Sequence, residues 1–363
     1  MKRLTLSFVP IAASYIKVPN NSHTLPDADQ QRIFSSSPTC YNFIQLSDPQ
    51  LGMYEKYGLN EYLGNWVIEL ENVDNALHEI ENDPKFLSTE NVNNFVILTG
   101  DLVNDKPEEA EDLYNTDQIK DLQRILDKHP KTEILQLPGN HDVGNTFKNS
   151  ALESYKKNWG SDYFSFTDRK DLDALNEAFT KYFVLDTNLW RQDPSDSKNT
   201  DITTEQLQDQ IDWMEEELKK EILPNGNTPI SKAIIFTHHP LYLDNKDEND
   251  NINTYDHVPK YWRDKIFNLL DKYLLQKGSN YHIFSGHLHY EKVIDNKSVA
   301  SLALSVNYEN GQNMGNFIIG NGGVRVVSTC RGSPEVDQEF VMMGTSSACT
   351  MFSSILVFMK FLI

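Results

Sequence analysis

Five apolar runs in this chain are each followed directly by a short polar cluster, and this arrangement strongly limits the folds available to it. The runs lie at 42–46, 95–98, 134–137, 233–236 and 282–284. Each has the length and composition of a buried strand. Strands that end at one edge of a sheet bring the polar side chains that follow them together. The sequence therefore predicts an α/β protein with a polar site at a sheet edge.

The polar clusters contain the residue types that hold divalent metal ions. They are Asp48 with Gln50, Gly100 with Asp101, Gly139 with Asn140, His141 and Asp142, His238 with His239, and His287 with His289. Carboxylate and amide oxygens suit hard cations, whereas imidazoles suit Mn, Fe and Zn. Any one of these residues alone is more often a turn former, a cap or a structural histidine. Their recurrence after five strands indicates a metal site.

Between these strands, apolar residues recur at helical spacing in several long segments. The predicted helices lie at 65–82, 117–128, 204–222 and 260–276, and Thr203 or Thr204 is the candidate cap of the third. Further strands are predicted at 181–186, 298–306, 317–319 and 324–328. Alternating strands and helices followed by a β-rich end predict two mixed sheets packed face to face, with helices outside.

The charge balance argues against partners that carry negative charge. The chain has 33 basic and 53 acidic residues, a net charge of −20, and no cluster of Lys and Arg. Such a surface repels nucleic acid phosphates and anionic membranes, so we expect no nucleic acid partner. At 363 residues the chain is long enough for one large α/β domain or two smaller ones.

The cysteines and the chain ends give different indications of the compartment. Cys40, Cys330 and Cys349 form neither a disulfide framework nor a zinc cage by their spacing, which favours a reducing, cytoplasmic location. Residues 4–16 are mostly apolar, as in a secretory signal or a loosely docked extension. Residues 350–363 are apolar but too short for a membrane span. A secreted or membrane-anchored protein is the alternative.

Two polar segments, 193–201 and 244–253, are predicted to be solvated surface loops. The second is acidic and closely follows the two histidines His238 and His239. The alternative to a solvated loop is that this second segment forms a lid over the site. An acidic lid would favour substrates that carry basic residues near the phosphate group.

The clusters also carry a resemblance to a known family. The residues that match it are, in chain order, Asp48, Gln50, Gly100, Asp101, Asn104, Gly139, Asn140, His141, Asp142, His238, Gly286, His287 and His289. This order resembles the calcineurin-like metallophosphoesterase superfamily and spans residues 42–330. Within that superfamily, the segments 139–145 (GNHDVGN) and 159–166 (WGSDYFSF) are similar to the calcineurin-like phosphoesterase domain-containing Ser/Thr protein phosphatases.

The resemblance implies a metallophosphoesterase fold: a four-layer α-β-β-α sandwich of two mixed β-sheets flanked by helices. It places this domain at 41–330, between an N-terminal extension at 1–40 and a C-terminal tail at 331–363. It also implies two divalent metal ions that share one carboxylate. Asp48, Gln50, Asp101 and His289 would hold one ion, and Asp101, Asn140, His238 and His287 the other. His141 would be the general acid, oriented by Asp142.

Gln50 sets the expected metal preference. Many superfamily members have a histidine at this position, and an amide oxygen is a harder, weaker ligand than an imidazole. We therefore expect Mn or Mg as the bound ions, with Fe or Zn as the alternative. Of these ions, we expect manganese first.

The function that the resemblance implies is hydrolysis of phosphoserine and phosphothreonine monoesters in proteins. Water held between two cations ionises near neutral pH and can attack phosphorus, while His141 protonates the departing alkoxide. The expected partner is a phosphoprotein substrate, with protein kinases among the candidates. Two alternatives use the same fold: a phosphodiesterase or small-molecule phosphomonoesterase, and a scaffold without catalysis. The sequence does not indicate an oligomeric state.

Overall fold

The computed structural model of the chain describes residues 15–20, 22–34, 39–53, 64–83, 92–107, 113–145, 148–169, 177–191, 201–241, 257–287, 292–294, 312–314 and 323–342. The helices in these residues are α1 (Asp27–Phe34), α2 (Val67–Asn82), α3 (Asn115–Leu126), α4 (Asn140–Val143), α5 (Asn149–Trp159), α6 (Thr187–Trp190), α7 (Thr204–Lys220) and α8 (Lys260–Tyr273). The strands are β1 (Cys40–Leu46), β2 (Val92–Leu98), β3 (Ile134–Gln136), β4 (Phe164–Thr167), β5 (Phe179–Val184), β6 (Ile230–Thr237), β7 (Asn280–Ser285), β8 (Lys292–Ile294), β9 (Gln312–Met314), β10 (Gly323–Cys330) and β11 (Val336–Met342).

The strands form two mixed sheets. One has the order β11-β10-β1-β2-β3, in which β1, β2 and β3 are parallel and the β10–β11 hairpin pairs antiparallel with β1. The other has the order β4-β5-β6-β7-β9-β8, in which the four inner strands are parallel and both edge strands are antiparallel. Parallel strands end at a common edge, so each sheet presents its carboxyl ends together.

Successive residues of the inner strands alternate between two hydrophobic cores. Phe43 of β1 faces the inner core, where its ring centroid lies 5.3 Å from Phe95 in the same sheet, 5.3 Å from Phe236 and 5.4 Å from Phe284 in the other. Its neighbour Ile44 packs on the opposite side, in the core that contains the helices. This period of two places one core between the sheets and the other beneath the helices. The expected four-layer sandwich is confirmed.

The sequence-based elements agree with the structure in type and differ by a few residues at their ends. The third predicted helix begins where expected, because the Thr203 hydroxyl accepts a hydrogen bond from the Gln206 N–H at 3.2 Å. The predicted strand at 181–186 ends two residues earlier, at Val184. The strands predicted at 298–306 and 317–319 lie outside the described residues, as do the loops at 244–253 and most of 193–201.

The packed structure extends on both sides of residues 41–330. Ile16, Leu25 and Phe34 are buried in the core between the sheets, and the Ile16 N–H donates to the Ile134 carbonyl at 2.8 Å. At the other end, β11 adds the outer strand of the first sheet. Among the described residues, no helix has the length and apolar character that crossing a membrane requires.

Cys40 and Cys330 form a disulfide, which corrects the expectation drawn from cysteine spacing. They lie opposite each other in the antiparallel β1–β10 pair, with their Cα atoms 4.0 Å apart. The sequence separation is 290 residues, so only the strand register reveals the pairing. Disulfides persist mainly in oxidising environments. The cysteines therefore no longer support the expectation of a reducing compartment.

Candidate metal centre

The carboxyl ends of five parallel strands converge on one cluster of polar side chains. The predicted site residues that the structure brings together there are Asp48 after β1, Asp101 after β2, Asn140 after β3, His238 after β6 and His287 after β7. Potential ligand atoms of Asp48, Asp101 and His238 all lie within 4.8 Å of one another, and so do those of His238, His239 and His287. His289 lies outside the described residues.

Backbone conformation singles out four of the predicted metal ligands. The described non-glycine residues with positive φ are Asp48 (52°), Gln50 (39°), Asp101 (50°) and His287 (76°). Left-handed backbone costs free energy for residues with a Cβ, and it persists where the surrounding structure imposes it, often at functional sites. All four are candidate metal ligands. The strain is concentrated where the chain turns sharply from a strand to aim a polar side chain.

Gly139 allows two of these turns to approach closely. A Cβ at this position would stand 2.1 Å from both the backbone nitrogen and Oδ1 of Asp101. Real Cβ atoms do not approach backbone or carboxylate atoms so closely, so any side chain here would force the turns after β2 and β3 apart. The glycine therefore sets the separation between Asp101 and Asn140.

His238 is held so that one ring nitrogen faces the cluster. Its Nδ1 lies 2.9 Å from the Thr99 carbonyl oxygen, which only accepts, so Nδ1 carries a proton. Its Nε2 lies 3.3 Å from Asp101 Oδ1, 3.2 Å from Asn140 Oδ1 and 3.3 Å from His287 Nδ1. Several electron-pair donors thus point at one small volume. A cation is what such an arrangement accommodates.

The electrostatics of the site agree with this geometry. Burial alone would lower the pKa of His238, but the carboxylates of Asp101 and Asp48 outweigh it and raise that pKa to about 9. Burial likewise opposes ionisation of Asp101, yet His238 and His141 hold the pKa of Asp101 far below its ordinary value. The carboxylates therefore attract positive charge. Metal binding would replace the proton on His238.

The two amide side chains fit a metal site as well. Asn140 donates from Nδ2 to Asn145 Oδ1 at 3.1 Å, which directs its carbonyl oxygen at His238. Gln50 donates from Nε2 to Asp101 Oδ2 at 3.1 Å. Within the described part of the chain, Gln50 Oε1 is buried and has no hydrogen-bond partner. An orphaned buried carbonyl oxygen beside a carboxylate is the kind of atom that a cation satisfies.

Asp142 holds the turns together through the backbone. Its carboxylate accepts hydrogen bonds from the N–H groups of Gly139 at 2.7 Å, Leu102 at 3.0 Å and Val103 at 3.3 Å. Burial and the nearby Asp101 charge raise the pKa of Asp142 to about 7. The carboxylate therefore positions the loops after β2 and β3.

His141 contacts a backbone carbonyl through its ring. Its backbone N–H donates to Asp101 Oδ1 at 2.8 Å, and its Nδ1 donates to the Asn104 carbonyl oxygen. Because Nδ1 keeps its proton in that bond, Nε2 is the ring nitrogen that gains or loses a proton. The bond with Asn104 fixes the orientation of the ring, a contact that the sequence does not reveal.

The site also contains residues that the sequence analysis missed. The chain after β5 turns into α6 at the same sheet edge and brings Thr187 and Arg191 beside His239. Burial, reinforced by the charge of Arg191, lowers the pKa of His239 well below its ordinary value. The missed signal is a sixth polar cluster, 186–188 (DTN), which follows an apolar strand as the other five do.

Three comparisons relate this chain to known proteins. A family model described as calcineurin-like phosphoesterase matches residues 41–291. The chain is 29% identical over 256 residues to the Homo sapiens protein named serine/threonine-protein phosphatase CPPED1, covering 69% of each. A Danio rerio protein of the same name is 27% identical over 286 residues, covering 76% of this chain and 77% of its own. A solved structure titled "Structure of PhoD" shares the fold with a TM-score of 0.51 and 12% identity, covering 84% of this chain and 69% of its own.

Proposed function

This chain belongs to the calcineurin-like phosphoesterase family, and on that premise we propose that it hydrolyses phosphoserine and phosphothreonine monoesters in proteins. Family membership makes it a metal-dependent phosphoesterase, and the structure offers the ligand groups. The human and zebrafish relatives are named as serine/threonine-protein phosphatases, which supports the substrate class.

The observation that carries the proposal is the convergence of electron-pair donors around Asp101. On one side lie the imidazole of His238 at 3.3 Å and, beyond it, the amide oxygen of Asn140. On the other lies Gln50, whose Nε2 donates to the second carboxylate oxygen at 3.1 Å and whose buried Oε1 has no hydrogen-bond partner among the described residues. A carboxylate with separate ligands at each oxygen is suited to join two ions. This supports a dinuclear centre.

The residues divide between the two proposed ion positions. Asp48, Gln50 and Asp101 would hold the first ion, together with His289. Asp101, Asn140, His238 and His287 would hold the second. Asp48 is already fixed for such a role, because its carboxylate oxygens both accept from the His287 backbone N–H at 3.1 Å. This bond links the two halves of the centre across the sheets.

Two bound divalent ions would supply a nucleophile from water near neutral pH and neutralise charge on the phosphoryl group. The chain's own contribution to proton transfer is His141. With Nδ1 bound to the Asn104 carbonyl, a protonated His141 presents its second proton at Nε2. Serine and threonine alkoxides are poor leaving groups, so protonation by this nitrogen would accelerate their departure by about 10²- to 10⁴-fold.

The substrate class is tested with purified, metal-reconstituted protein. We expect phosphoserine and phosphothreonine peptides to be hydrolysed with higher kcat/KM than bis(p-nitrophenyl) phosphate. A phosphodiesterase or a small-molecule phosphatase would show the opposite order, or would prefer free phosphate monoesters to peptides. Either result would reject the proposed substrate. Activity on none of them would favour a scaffold.

The site assignment is tested with matched aspartate variants. Asp101→Asn should abolish metal-dependent turnover and release bound metal, because it removes the carboxylate between the ion positions. Asp117→Asn is the control, since Asp117 is exposed on α3 and pairs only weakly with Lys120 at 3.0 Å. If Asp101→Asn kept normal turnover and metal content, the centre would lie elsewhere.

The metal preference that Gln50 implies is tested separately. Chelator-treated protein should regain more activity with Mn²⁺ or Mg²⁺ than with Zn²⁺ or Fe²⁺. Gln50→His should shift the order toward Zn²⁺ and Fe²⁺, because an imidazole replaces the amide oxygen. An unchanged order in this variant would show that Gln50 does not bind the metal.

A further inference from the structure

Arg191 follows α6 and reaches into the sheet edge that carries the metal centre. Its Nη1 lies 2.5 Å from Nε2 of His239, and the side chain is partly buried. The His239 ring centroid lies 4.3 Å from that of His287 and 4.7 Å from that of His238. Only one imidazole therefore separates the guanidinium from two candidate metal ligands.

Hydrogen-bond chemistry fixes the role of His239 in this contact. A guanidinium donates and never accepts, so Nε2 of His239 must be the acceptor. The proton of a neutral imidazole then sits on Nδ1, which donates to Thr187 Oγ1 at 3.1 Å. The same hydroxyl oxygen accepts from the His239 backbone N–H at 2.9 Å. Neither ring nitrogen of His239 offers a lone pair to a metal ion in this arrangement.

The contact with His239 orients the guanidinium. The guanidinium stays protonated at neutral pH, and the imidazole that accepts its hydrogen bond is neutral. Helix α6, which directly precedes Arg191, is fixed at its start because the Asp186 carboxylate accepts from the Asn188 N–H at 2.9 Å. These contacts fix the position of the Arg191 guanidinium beside the candidate metal centre.

We infer that Arg191 binds a terminal phosphoryl oxygen of the substrate and thereby favours phosphate monoesters over diesters. The inference rests on the proposed phosphatase function. A phosphomonoester carries three terminal oxygens, whereas a diester has only two because esterification removes one. If two oxygens faced bound ions, a third would remain for Arg191 only in the monoester. A guanidinium is suited to bind such an oxygen, and His239 is the residue that positions it.

The first test measures phosphate binding directly. Calorimetry with inorganic phosphate and manganese-loaded protein should show about 10- to 100-fold weaker binding for Arg191→Gln than for wild type. Arg191→Lys keeps the charge but loses the planar fork, so its loss should be intermediate. Arg124→Gln is the matched control, because Arg124 is exposed on α3. Unchanged phosphate binding in a metal-loaded Arg191→Gln protein would overturn the inference.

The second test separates specificity from a general structural effect. In Arg191→Gln, kcat/KM for p-nitrophenyl phosphate should fall about 10- to 100-fold, while that for bis(p-nitrophenyl) phosphate changes by less than about threefold. Equal losses on both substrates would contradict the role in monoester selection. Wild-type protein that turns over no monoester would reject the proposed function, while the calorimetry would still decide whether Arg191 binds phosphate.

The positioning role of His239 is tested with a double-mutant cycle. His239→Phe removes the acceptor and should weaken phosphate binding in the wild-type background but not further in Arg191→Gln. Additive losses would show that His239 acts independently of Arg191. Loss of bound manganese from His239→Phe would make His239 a metal ligand, which also contradicts the inference.

Discussion

Replacing Asp142 by asparagine distinguishes two possible roles of this residue: anchoring the loops after β2 and β3, and orienting the His141 ring. The carboxylate accepts from Gly139 and Leu102 at one oxygen and from Leu102 and Val103 at the other. Asparagine has only one acceptor oxygen, and its NH₂ group would face an N–H donor in either orientation. At least one buried backbone amide therefore loses its partner.

The magnitude follows from these contacts. An unsatisfied buried amide costs about 1–3 kcal/mol. Removing a carboxylate whose burial raises its pKa to about 7 recovers part of that cost. We therefore expect Asp142→Asn to lower the free energy of unfolding by about 1–2 kcal/mol. Because the loops that carry Asp101 and Asn140 lose their common anchor, metal affinity should fall by about 10- to 100-fold.

The assay combines denaturant unfolding of the apo protein with calorimetric titration of Mn²⁺, and Asp117→Asn serves as the exposed control. If Asp142 acted only by orienting the His141 ring, Asp142→Asn would lower kcat while Mn²⁺ affinity and stability stayed near wild type. That result would refute the role as a loop anchor. Parallel losses of stability and metal affinity would support it.

Three further predictions concern stability. Gly139→Ala should abolish metal-dependent activity and lower the melting temperature, because its Cβ would lie 2.1 Å from a backbone nitrogen. Burial opposes ionisation of Glu217, but the Lys181 ammonium outweighs it and lowers the pKa of Glu217 from 4.5 to about 2. Its contribution to stability is complete above pH 4.5 and is lost as pH falls toward 2, so urea unfolding of Glu217→Gln should depend less on pH in that window. Replacing Cys40 and Cys330 together by serine should cost about 2–5 kcal/mol in denaturant unfolding, and reductant should affect only the wild type.

The strand-end pattern predicted the position of the site because the fold repeats one local rule. A buried parallel strand reads as a short apolar run, and the residue after it stands at the shared edge. Asp48, Asp101 and His238 were placed by this rule alone. Their exact partners depend on side-chain geometry that composition does not encode.

The features that the sequence did not reveal depend on contacts between distant segments. The pairing of Cys40 with Cys330 follows from the register of two strands 290 residues apart in sequence. The role of Asp142 depends on amides in the preceding strand-end loop. Arg191 was missed because the predicted strand at 181–186 included Asp186, the first polar residue after β5, and so hid the cluster that precedes Arg191. A strand end set two residues earlier would have exposed a sixth cluster.

The net charge of the chain gives a further constraint on its substrate. At −20 the protein repels anions at long range, although the proposed metal centre would attract phosphate at short range. The acidic segment 244–253, which follows His238 in the sequence, adds to this repulsion of anions. Phosphopeptides with basic flanking residues should therefore have higher kcat/KM than otherwise identical peptides with acidic flanks.

The salt dependence of this preference tests whether it is electrostatic. Screening shortens the range of exposed charges to about 10 Å at 0.1 M salt and to about 3 Å at 1 M. The ratio of kcat/KM for basic-flanked over acidic-flanked peptides should therefore decrease steadily as salt rises, mainly through the acidic-flanked peptide becoming a better substrate. A ratio that stayed constant would mean that short-range contacts select the flanking residues. The net charge would then have no part in substrate choice.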